Sequence, residues 1–277
     1  MPDTSAAPAL RTVGVIGAGR MGQPIIGHLV RHGFVVHACD IDKGKRDAVV
    51  ARGAGWVESP TALGRACDVL LVSIGYDQQL RGLLTDALLR VLPNGMIVAV
   101  LSTVQPRTMT ALADLARPVG VYVVDATLCR GGRGADEGTL LSFVGGGADI
   151  VARLTPVLRC FCRDIVHTGA VGTAQVAKAA NNMLMWACLI ANHEALALVQ
   201  RFGMDADLIR GALLQTGAEN AVLRHWGTST MAWAEDDLEI VQSMGHQVGI
   251  GLPQAGLNRE LCRILKPKRF RLDEYGV

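Results

Sequence analysis

The sequence has few aromatic residues and no excess of charge of one sign. Its 277 residues include 4 Trp, 3 Tyr and 5 Phe, which is too few for the aromatic platforms on which single-stranded nucleic acids stack. Its 27 basic and 25 acidic residues leave a formal charge of +2, which excludes binding of nucleic acid through a broad basic field. We therefore expect a small-molecule partner and no nucleic acid.

Long apolar runs and paired cysteines are also missing. No stretch approaches the roughly 20 uninterrupted apolar residues of a membrane span, and Asp3 stands where a secretory signal would carry positive charge. The 7 cysteines are scattered, and Cys160 and Cys162 lack the CxxC spacing of a metal or redox pair. These features predict a cytoplasmic protein with reduced thiols, no metal and no membrane segment, which begins with a short disordered leader.

What the sequence does contain is a large apolar core with a regular alternation of segments. Half of the residues are hydrophobic and 19% are charged, which excludes intrinsic disorder. Strands are expected at 12–16, 34–39, 68–73, 96–101, 119–124, 140–144 and 164–167. Helices are expected between them at 20–32, 43–51, 106–116 and 150–161. Because parallel strands need crossover helices, the alternation predicts an α/β fold with a Rossmann-type, doubly wound parallel sheet.

The pattern changes after Gly169. Residues 174–200 contain no Pro or Gly and predict one long helix that is apolar on more than one face, which suits the spine of a helical domain. Shorter helices are expected at 205–215, 221–228 and 236–247. We therefore predict two domains, 1–168 and 169–277, of which the second is all-helical.

A glycine-rich turn with the GxGxxG pattern follows the first predicted strand and precedes the first helix. In this motif the first glycine permits a tight turn, the second lets the backbone approach a pyrophosphate, and the third lets the helix pack close to the strand. The amides and dipole of the helix N-terminus then face the pyrophosphate. The turn predicts a dinucleotide-binding first domain, with cofactor contacts from Gly17, Ala18, Gly19, Arg20, Met21 and Gly22.

Asp40 ends the second predicted strand, at the distance from the turn that the dinucleotide-binding pattern requires. A carboxylate in this place bonds the ribose hydroxyls of the adenosine half and repels a 2′-phosphate, so we expect NAD in preference to NADP. The alternative for Asp40 is a solvated turn aspartate, and Asp42 is expected at the surface.

Four segments together resemble the β-hydroxyacid dehydrogenase family, which includes 3-hydroxyisobutyrate dehydrogenase and tartronate semialdehyde reductase. They are the glycine-rich turn with its Met21, the segment 101–106 that is similar to the family's STxxP, the substrate-binding signature 125–146, and the segment 169–182. A weaker match covers 237–253. The resemblance implies an NAD-dependent oxidoreductase that interconverts a small 3-hydroxy acid, or a related alcohol, and its aldehyde or ketone. It also implies a homodimer, or a dimer of dimers, formed through the helical domain.

The resemblance places the family's catalytic lysine at Lys178. Oxidation of an alcohol with NAD removes a hydride from carbon and a proton from the hydroxyl, and the proton needs a base within hydrogen-bond reach. Asn182, one helical turn further on, would bond the substrate. The alternative for Lys178 is a surface charge, against which stand its small apolar neighbours Ala177 and Ala179.

Three further residues are implied to lie along the cofactor. Thr103 would contact its nicotinamide side, and Ile74 and Gly75 would line it where the family usually has Leu-Pro. An ordinary helix N-cap before Pro106 is the alternative for Thr103.

Two departures from the family pattern concern the substrate. The family's Ser-Gly-Gly loop holds the substrate carboxylate, and here it reads Cys129-Arg130-Gly131. Cysteine is a weaker donor than serine, whereas Arg130 can bind a carboxylate bidentately, point to solvent or narrow the pocket. Asp236 replaces a lysine that the family carries before Asp237, which reverses a local charge, and Asp237 itself is expected to be structural.

Two other functions stay open at this point. Imine reductases resemble the first domain but generally lack a lysine at the position of Lys178, and the altered loop at Cys129 leaves C=N reduction as an alternative. A non-catalytic dinucleotide-binding protein is the second alternative, against which stands the presence of both Lys178 and Asn182. No role beyond surface or core is predicted for Asp114 and His193.

Overall fold

The computed structural model describes residues 10–75, 77–84 and 86–276. The leader predicted for the first residues lies outside the described residues. The chain divides into two compact units, of which the first ends at Lys178 and the second begins at Ala179. This division falls within the long helix, and the domain boundary predicted after residue 168 stays a prediction.

The first unit contains one sheet of eight strands in the order β3-β2-β1-β4-β5-β6-β7-β8. The strands are β1 Thr12–Ile16, β2 Val35–Cys39, β3 Gly55–Trp56, β4 Val69–Val72, β5 Ile97–Val100, β6 Tyr122–Cys129, β7 Leu140–Gly145 and β8 Cys162–Gly169. The first six strands have the order typical of dinucleotide-binding domains, in which ligands bind outside the carboxyl ends of the strands.

Helices cover both faces of this sheet. They are α1 Gly22–Arg31, α2 Arg46–Val50, α3 Pro60–Ala66, α4 Asp77–Leu83, α5 Asp86–Leu89, α6 Pro106–Ala116, α7 Gly131–Glu137 and α8 Ala148–Leu158. Val69 and Leu71 belong to one buried cluster, and Leu70 and Val72 belong to another. Because successive side chains of a strand point to opposite faces, the sheet has a core on each side. The predicted doubly wound fold is confirmed.

One strand departs from the predicted parallel arrangement. β7 is antiparallel to β6, whereas the other neighbouring strands are parallel. The link between β6 and β7 contains only the short helix α7, and a crossover to a parallel strand needs a dozen or more residues. The chain therefore returns antiparallel, and α8 then restores the parallel direction for β8.

The strand expected at 119–124 begins later and ends later than predicted. Residues Arg117–Val119 form a 3₁₀ turn that ends at Gly120, whose φ is 72°. The strand then runs from Tyr122 to Cys129. This extension places the substrate signature at the carboxyl end of β6, where the fold binds ligands.

The described residues of the second unit form helices joined by turns and loops, with no strand among them. The long helix α9 Thr173–Arg201 crosses from the first unit into the second, and it is followed by α10 Ala206–Leu213, α11 Ala221–Arg224, α12 Ala234–Gln247 and α13 Pro253–Leu265. Trp186, Leu189 and Leu238 belong to the buried core of this unit. The predicted all-helical character is confirmed.

α9 alone among the described helices is long and apolar enough, by length and composition, to cross a membrane. Its apolar window is 44% buried inside the chain, and Gln175, Asn182 and His193 are buried polar side chains on it. Such side chains are costly in lipid, and the core helix of a soluble protein meets the same criteria. These features indicate a core helix.

Candidate active site

The glycine-rich loop lies between β1 and α1, as its motif predicts. Gly17 has a φ of 99°, and a Cβ on it would lie 2.0 Å from the carbonyl oxygen of Ser73. A Cβ on Gly22 would lie 1.9 Å from the carbonyl oxygen of Gly17. Around Gly19, by contrast, no described heavy atom lies within 4 Å of such a Cβ. The outer glycines are therefore required by packing, and Gly19 leaves open space that a pyrophosphate fits.

The start of α1 is suited to an anion. Its N-cap residue, Met21, makes no capping hydrogen bond with its side chain, and the first turn carries no acidic residue. The first N–H groups of a helix have no partner within the helix and lie at the positive end of its dipole. This helix start and the open loop fit the pyrophosphate of a dinucleotide.

Asp40 follows β2 and supports the glycine-rich loop directly. Its side chain is 6% exposed, and its Oδ2 accepts hydrogen bonds from the backbone N of Ala18 at 2.7 Å and from Nζ of Lys45 at 3.0 Å. Its Oδ1 accepts one from the backbone N of Asp42 at 2.9 Å.

The charge of Asp40 follows from these contacts. Burial alone would raise the pKa of Asp40, but the bonds from Asp42, Lys45 and Ala18 outweigh it and lower the pKa below its usual range. The side chain is therefore not a solvated turn aspartate, and Oδ1 retains capacity to accept a ribose hydroxyl. Asp42 is exposed, as predicted.

Two loops at the carboxyl ends of β4 and β5 are joined by Ser102. Its Oγ accepts a hydrogen bond from the backbone N of Ile74 at 2.9 Å and donates one to the carbonyl oxygen of Ile74 at 2.6 Å. The backbone N of Gly75 donates to Oε1 of Gln79 at 3.0 Å. The predicted cofactor residues Ile74 and Gly75 therefore lie in a loop that is fixed next to Thr103.

The start of α6 is capped by a residue from another helix. Asp77 accepts a hydrogen bond from the backbone N of Gln105 at 3.1 Å and another from the hydroxyl of Thr108. Thr103 is not the N-cap, because that position belongs to Gln105. The hydroxyl of Thr103 makes no hydrogen bond to a described residue, so it is available to a ligand.

Gln175 connects this loop to the first turn of α9. It is fully buried, its Oε1 accepts a hydrogen bond from the backbone N of Val104 at 2.9 Å, and its Nε2 donates one to the carbonyl oxygen of Ser102 at 3.0 Å. These two bonds fix the loop that carries Thr103 to the helix turn that precedes Lys178. No motif in the sequence indicates this role of Gln175, although a glutamine in an apolar stretch needs a partner.

Asp125 caps the N-terminus of α9 from β6. It is fully buried, and its two carboxylate oxygens accept hydrogen bonds from the backbone N of Gly172 at 2.8 Å and of Gln175 at 3.1 Å. Thr127 adds a bond from its hydroxyl to the carbonyl oxygen of Ala174 at 3.2 Å. Burial raises the pKa of Asp125 in spite of these bonds. Asp125 belongs to the predicted substrate-binding signature, but the sequence does not indicate that it caps a helix.

Lys178 lies one turn beyond Gln175 and is partly buried. Its ammonium makes no hydrogen bond or ion pair to any residue that the structure describes. Asn182 belongs to the second unit, is 1% exposed, and accepts a hydrogen bond from Nδ2 of Asn181 at 3.0 Å. The joint action of Lys178 and Asn182 on a substrate stays a prediction.

The Cys129-Arg130-Gly131 loop begins α7. Cys129 is buried at the end of β6, and Arg130 and Gly131 have φ values of 81° and 60°. The guanidinium of Arg130 donates to the carbonyl oxygen of Thr139 at 2.7 Å and pairs with the carboxylate of Asp164 at 2.6 Å. The hydrogen bond from Arg130 lowers the pKa of Asp164. The guanidinium of Arg130 is therefore paired with a carboxylate of the protein itself, that of Asp164.

Arg20 joins the glycine-rich loop to α7. Its guanidinium forms two parallel hydrogen bonds with the carboxylate of Asp136, at 2.8 and 2.5 Å. A Cβ on Gly132 would lie 2.6 Å from Nη2 of Arg20. His28 of α1 adds contacts from Nε2 to the carbonyl oxygens of Ala135 and Asp136 at 3.0 and 3.1 Å. The glycine-rich loop, through Arg20, and the last turn of α1, through His28, therefore contact the helix that follows the Cys129-Arg130-Gly131 loop.

The remaining predicted residues lie in structural roles. Oδ2 of Asp237 accepts a hydrogen bond from Nε1 of Trp186 at 3.0 Å. Asp236 lies in the acidic first turn of α12, where negative charge is favoured by the helix dipole. Asp114 forms a surface ion pair with Arg117 at 2.6 Å. No group of three or more His, Cys, Asp or Glu side chains among the described residues could hold a metal ion.

The fold and this site define a dinucleotide-binding oxidoreductase, and the comparisons agree. A family model described as the NAD binding domain of 6-phosphogluconate dehydrogenase matches residues 12–201. A second, described as NAD-binding of NADP-dependent 3-hydroxyisobutyrate dehydrogenase, matches residues 172–271. The chain belongs to the β-hydroxyacid dehydrogenase family, as its motifs predicted, and is an NAD(P)-dependent oxidoreductase of the 3-hydroxyisobutyrate dehydrogenase type.

Two relatives from Pseudomonas aeruginosa show the extent of the similarity. The chain is 30% identical to an NAD-dependent L-serine dehydrogenase, over 97% of this chain and 96% of the relative. It is 31% identical to a 3-hydroxyisobutyrate dehydrogenase, over 76% of this chain and 72% of the relative. The similarity to the first relative therefore extends over both units.

Solved structures show the same fold. A 3-hydroxyisobutyrate dehydrogenase from Mycobacterium tuberculosis, solved with L-serine, has a TM-score of 0.85 at 23% identity and covers 94% of this chain and 95% of its own. An imine reductase from Myxococcus stipitatus, solved with NAD⁺, has a TM-score of 0.68 at 19% identity and covers 93% and 94%. At these identities the similarity establishes the fold alone.

Proposed function

We propose that this protein interconverts a small 3-hydroxy acid, or a related alcohol, and its aldehyde or ketone with NAD as the cofactor, and that Lys178 is the general acid/base. The observation that carries the proposal is the position of Lys178: the residue is partly buried, and its ammonium has no partner among the described residues. An ammonium without a counter-charge is available to donate to a ligand. The helix turn before it is fixed to the Thr103 loop, where the nicotinamide is expected.

The relatives indicate the class of substrate. L-Serine and 3-hydroxyisobutyrate, which appear in the names of relatives, both carry a hydroxyl on carbon 3 and a carboxylate. The N-terminus of α7 makes no capping hydrogen bond with a side chain and has no acidic residue in its first turn. We assign the substrate carboxylate to the backbone amides of the Cys129-Arg130-Gly131 loop, with the guanidinium of Arg130 kept on Asp164.

The cofactor and three side chains have separate roles in the proposed reaction. The chemistry supplied by a bound nicotinamide would be hydride transfer to and from the substrate carbon. The amine of Lys178 takes the hydroxyl proton during oxidation, and its ammonium returns a proton to the carbonyl oxygen during reduction. Thr103 would hold the nicotinamide side through its hydroxyl, and Asn182 would hydrogen-bond the substrate.

We propose NAD as the preferred cofactor because of Asp40. Its carboxylate is ionised, since its pKa is lowered, and it lies directly beside the glycine-rich loop. A 2′-phosphate next to this charge would be repelled, whereas a ribose hydroxyl can donate to Oδ1. Lys45 compensates part of the negative charge. We therefore expect NAD to be preferred over NADP without a complete exclusion of NADP.

We also propose a soluble cytoplasmic protein that forms a homodimer or a dimer of dimers and binds neither nucleic acid nor membranes. The second unit exposes large apolar side chains, among them Leu198, Phe202 and Leu208, which are 60%, 78% and 70% exposed. Apolar side chains of this size are available for pairing between helical units. Sedimentation of the purified protein would give its oligomeric state.

Initial rates with a substrate panel test the central proposal. The panel contains L-serine, 3-hydroxyisobutyrate and a cyclic imine, with NAD(H) followed at the nicotinamide absorbance. Lys178→Met keeps the length of the side chain but removes the base, so we expect kcat to fall about 100- to 10,000-fold with the best hydroxy acid. Binding of NADH, measured by fluorescence, should stay within about threefold because the cofactor residues are unchanged.

The control is Lys266→Met, which removes a lysine from a partly exposed ion pair with Glu235. Its kcat should match that of the unsubstituted protein. Full activity in Lys178→Met would refute the assigned mechanism. Faster reduction of the imine than oxidation of any hydroxy acid would establish the imine reductase alternative, and binding of NADH without turnover on any substrate would establish the non-catalytic one.

A further inference from the structure

The side chain of Gln175 contacts the backbone of the Thr103 loop at two points. The acceptor Oε1 meets the N–H of Val104, and the donor Nε2 meets the carbonyl oxygen of Ser102. Only this orientation of the amide pairs a donor with an acceptor at both ends, so the side chain has one satisfied position. The loop and the helix turn are therefore held at a fixed separation.

The backbone of Gln175 is fixed as well. Its N–H donates to Oδ2 of Asp125 at 3.1 Å, and both residues are fully buried. Asp125 lies in the middle of β6, next to β5. The glutamine thus connects a strand of the sheet, a loop at the carboxyl end of the neighbouring strand, and the first turn of α9.

The connection extends one loop further. Ser102, whose carbonyl oxygen accepts from Gln175, uses its hydroxyl to bond both the N and the O of Ile74. The loops expected to contact the cofactor therefore form one hydrogen-bonded set with the helix turn before Lys178. A change at Gln175 affects the separation between these loops and Lys178 without removing a group that contacts the reactants.

We propose that Gln175 is a positioning residue of the reaction: it sets the distance between the amine of Lys178 and the loop that carries Thr103. This inference rests on the proposed function of Lys178. Acid–base and hydride-transfer steps need reacting atoms within a narrow range of separation, and a displacement of about 1 Å can lower a rate 100-fold. Fully buried polar contacts supply that precision, because their loss leaves the loop's N–H and C=O without partners.

Two variants separate the contribution of the contacts from that of the side-chain volume. Gln175→Met retains the length of the side chain and removes both hydrogen bonds. Gln175→Asn retains the amide but is one methylene shorter, so it cannot reach both loop atoms. Gln200→Met is the control, because Gln200 is an exposed residue of the same helix.

The first measurement needs no cofactor. Amide hydrogen exchange of the Val104 N–H in the ligand-free protein should be at least tenfold faster in Gln175→Met than in the unsubstituted chain. It should be unchanged in Gln200→Met. Unchanged exchange at Val104 in both Gln175 variants would overturn the proposal, and Gln175→Asn decides the question if Gln175→Met does not fold.

The second measurement is kinetic. With the best hydroxy acid, kcat should fall about 10- to 100-fold in Gln175→Met while KM for NAD stays within about threefold. The isotope effect on kcat with substrate deuterated at the reacting carbon should rise, since hydride transfer becomes slower than product release. A loss of general stability would not increase this isotope effect.

The outcomes distinguish this inference from the proposed function. A full kcat in both Gln175 variants, together with an inactive Lys178→Met, overturns the positioning role and leaves the function intact. An active Lys178→Met refutes the proposed function and the positioning role with it. Slower turnover with an unchanged isotope effect and a raised KM for NAD would make Gln175 a part of the cofactor site, which also overturns the proposal.

Discussion

Asp40 has two functions at the level of a single residue. It supports the glycine-rich loop through the N–H of Ala18, and it presents an ionised carboxylate with remaining acceptor capacity. The first contact would affect any dinucleotide, whereas the second is the basis of the proposed selectivity for a ribose hydroxyl over a 2′-phosphate. Substitution of Asp40 is therefore expected to weaken the binding of both cofactors and to change the ratio between them.

We predict that Asp40→Ala weakens both cofactors and narrows the preference for NAD. Loss of the bonds to a charged group costs about 1.5–3 kcal/mol, so kcat/KM for NAD should fall at least tenfold. The kcat/KM for NADP should fall less, because the substitution removes the charge that repels the 2′-phosphate. Initial rates with both cofactors measure this ratio.

The matched control is Asp42→Ala. Asp42 is exposed and its carboxylate bonds only the N–H of Gly44 among the described residues, so the ratio of the two cofactors should not change. An unsubstituted enzyme that already prefers NADP would contradict the assignment of Asp40.

Residues that act locally could be predicted from the sequence, and residues that act across the fold could not. The glycines of the GxGxxG turn have defined backbone roles, and the structure shows Gly17 and Gly22 in them. Ser102 and Gln175 are separated by 28 and 73 residues from the atoms they bond. No local pattern specifies such partners; only the arrangement of strands places them together.

At the level of elements, α7 shows a helix that its sequence disfavours. Its first four residues are Gly131, Gly132, Arg133 and Gly134, and each glycine costs about 1 kcal/mol relative to alanine within a helix. Contacts from Arg20 and His28 to the end of α7 supply stabilisation from outside the helix. Propensity therefore could not predict this helix.

Arg130 is a strained residue at the start of the same element. Its φ of 81° is unfavourable for a residue with a Cβ, by about 1–2 kcal/mol. Its partly exposed ion pair with Asp164 contributes a similar or smaller amount in the opposite direction. The two effects nearly cancel.

We predict that Arg130→Gly leaves the melting temperature within a few degrees and changes KM for the hydroxy acid less than about threefold. Glycine adopts a positive φ without strain, and the guanidinium is occupied by Asp164 rather than by the substrate. Thermal unfolding and initial rates measure the two quantities. Arg133→Gly is the comparison, since it adds a glycine within α7 and should lower the melting temperature.

A tenfold or larger rise in KM for Arg130→Gly, with kcat retained, would show that the guanidinium itself binds the substrate carboxylate. That result would contradict the assignment of the carboxylate to backbone amides. It would support the alternative from the sequence in which the guanidinium of Arg130 binds the substrate carboxylate bidentately.

At the level of the whole molecule, the order of segments could be predicted because each unit has its own periodicity. Alternating strands and helices indicate a sheet covered on both faces, and a long helix without Pro or Gly indicates a helical unit. The direction of β7 depends on the length of one connection. The arrangement of the candidate site depends on buried hydrogen bonds between polar groups, which composition does not reveal.

The second unit contains a buried histidine whose ring lies among aromatic side chains. His193 is fully buried, stacks on Phe270 with ring centroids 5.2 Å apart, and lies 4.5 Å from the ring of Trp226. Its Nδ1 donates to the carbonyl oxygen of Leu189 at 2.8 Å, and its Nε2 accepts from the backbone N of Phe270 at 2.9 Å. Protonation of Nε2 would break the second bond.

We predict that the second unit loses stability as the pH falls below about 6.5, the ordinary pKa of histidine. Burial lowers the pKa of His193 in the folded protein, so in this window the unfolded chain binds a proton that the folded chain does not. Stability is therefore complete above the unfolded pKa and falls by about 1.4 kcal/mol per pH unit until the lowered pKa is reached. Unfolding followed by the fluorescence of Trp226 between pH 7.5 and 5 should show this slope.

Two variants test whether His193 is the group responsible. His193→Gln should be less stable at pH 7.5 but should lack the dependence of stability on pH, whereas His246→Gln, at an exposed position, should retain it. A slope that persists in His193→Gln would assign the proton to another group. The carboxylates with lowered pKa titrate below this pH range. The pKa of Asp125 is raised, so its protonation would stabilise the folded protein as the pH falls, which is opposite to the effect of His193.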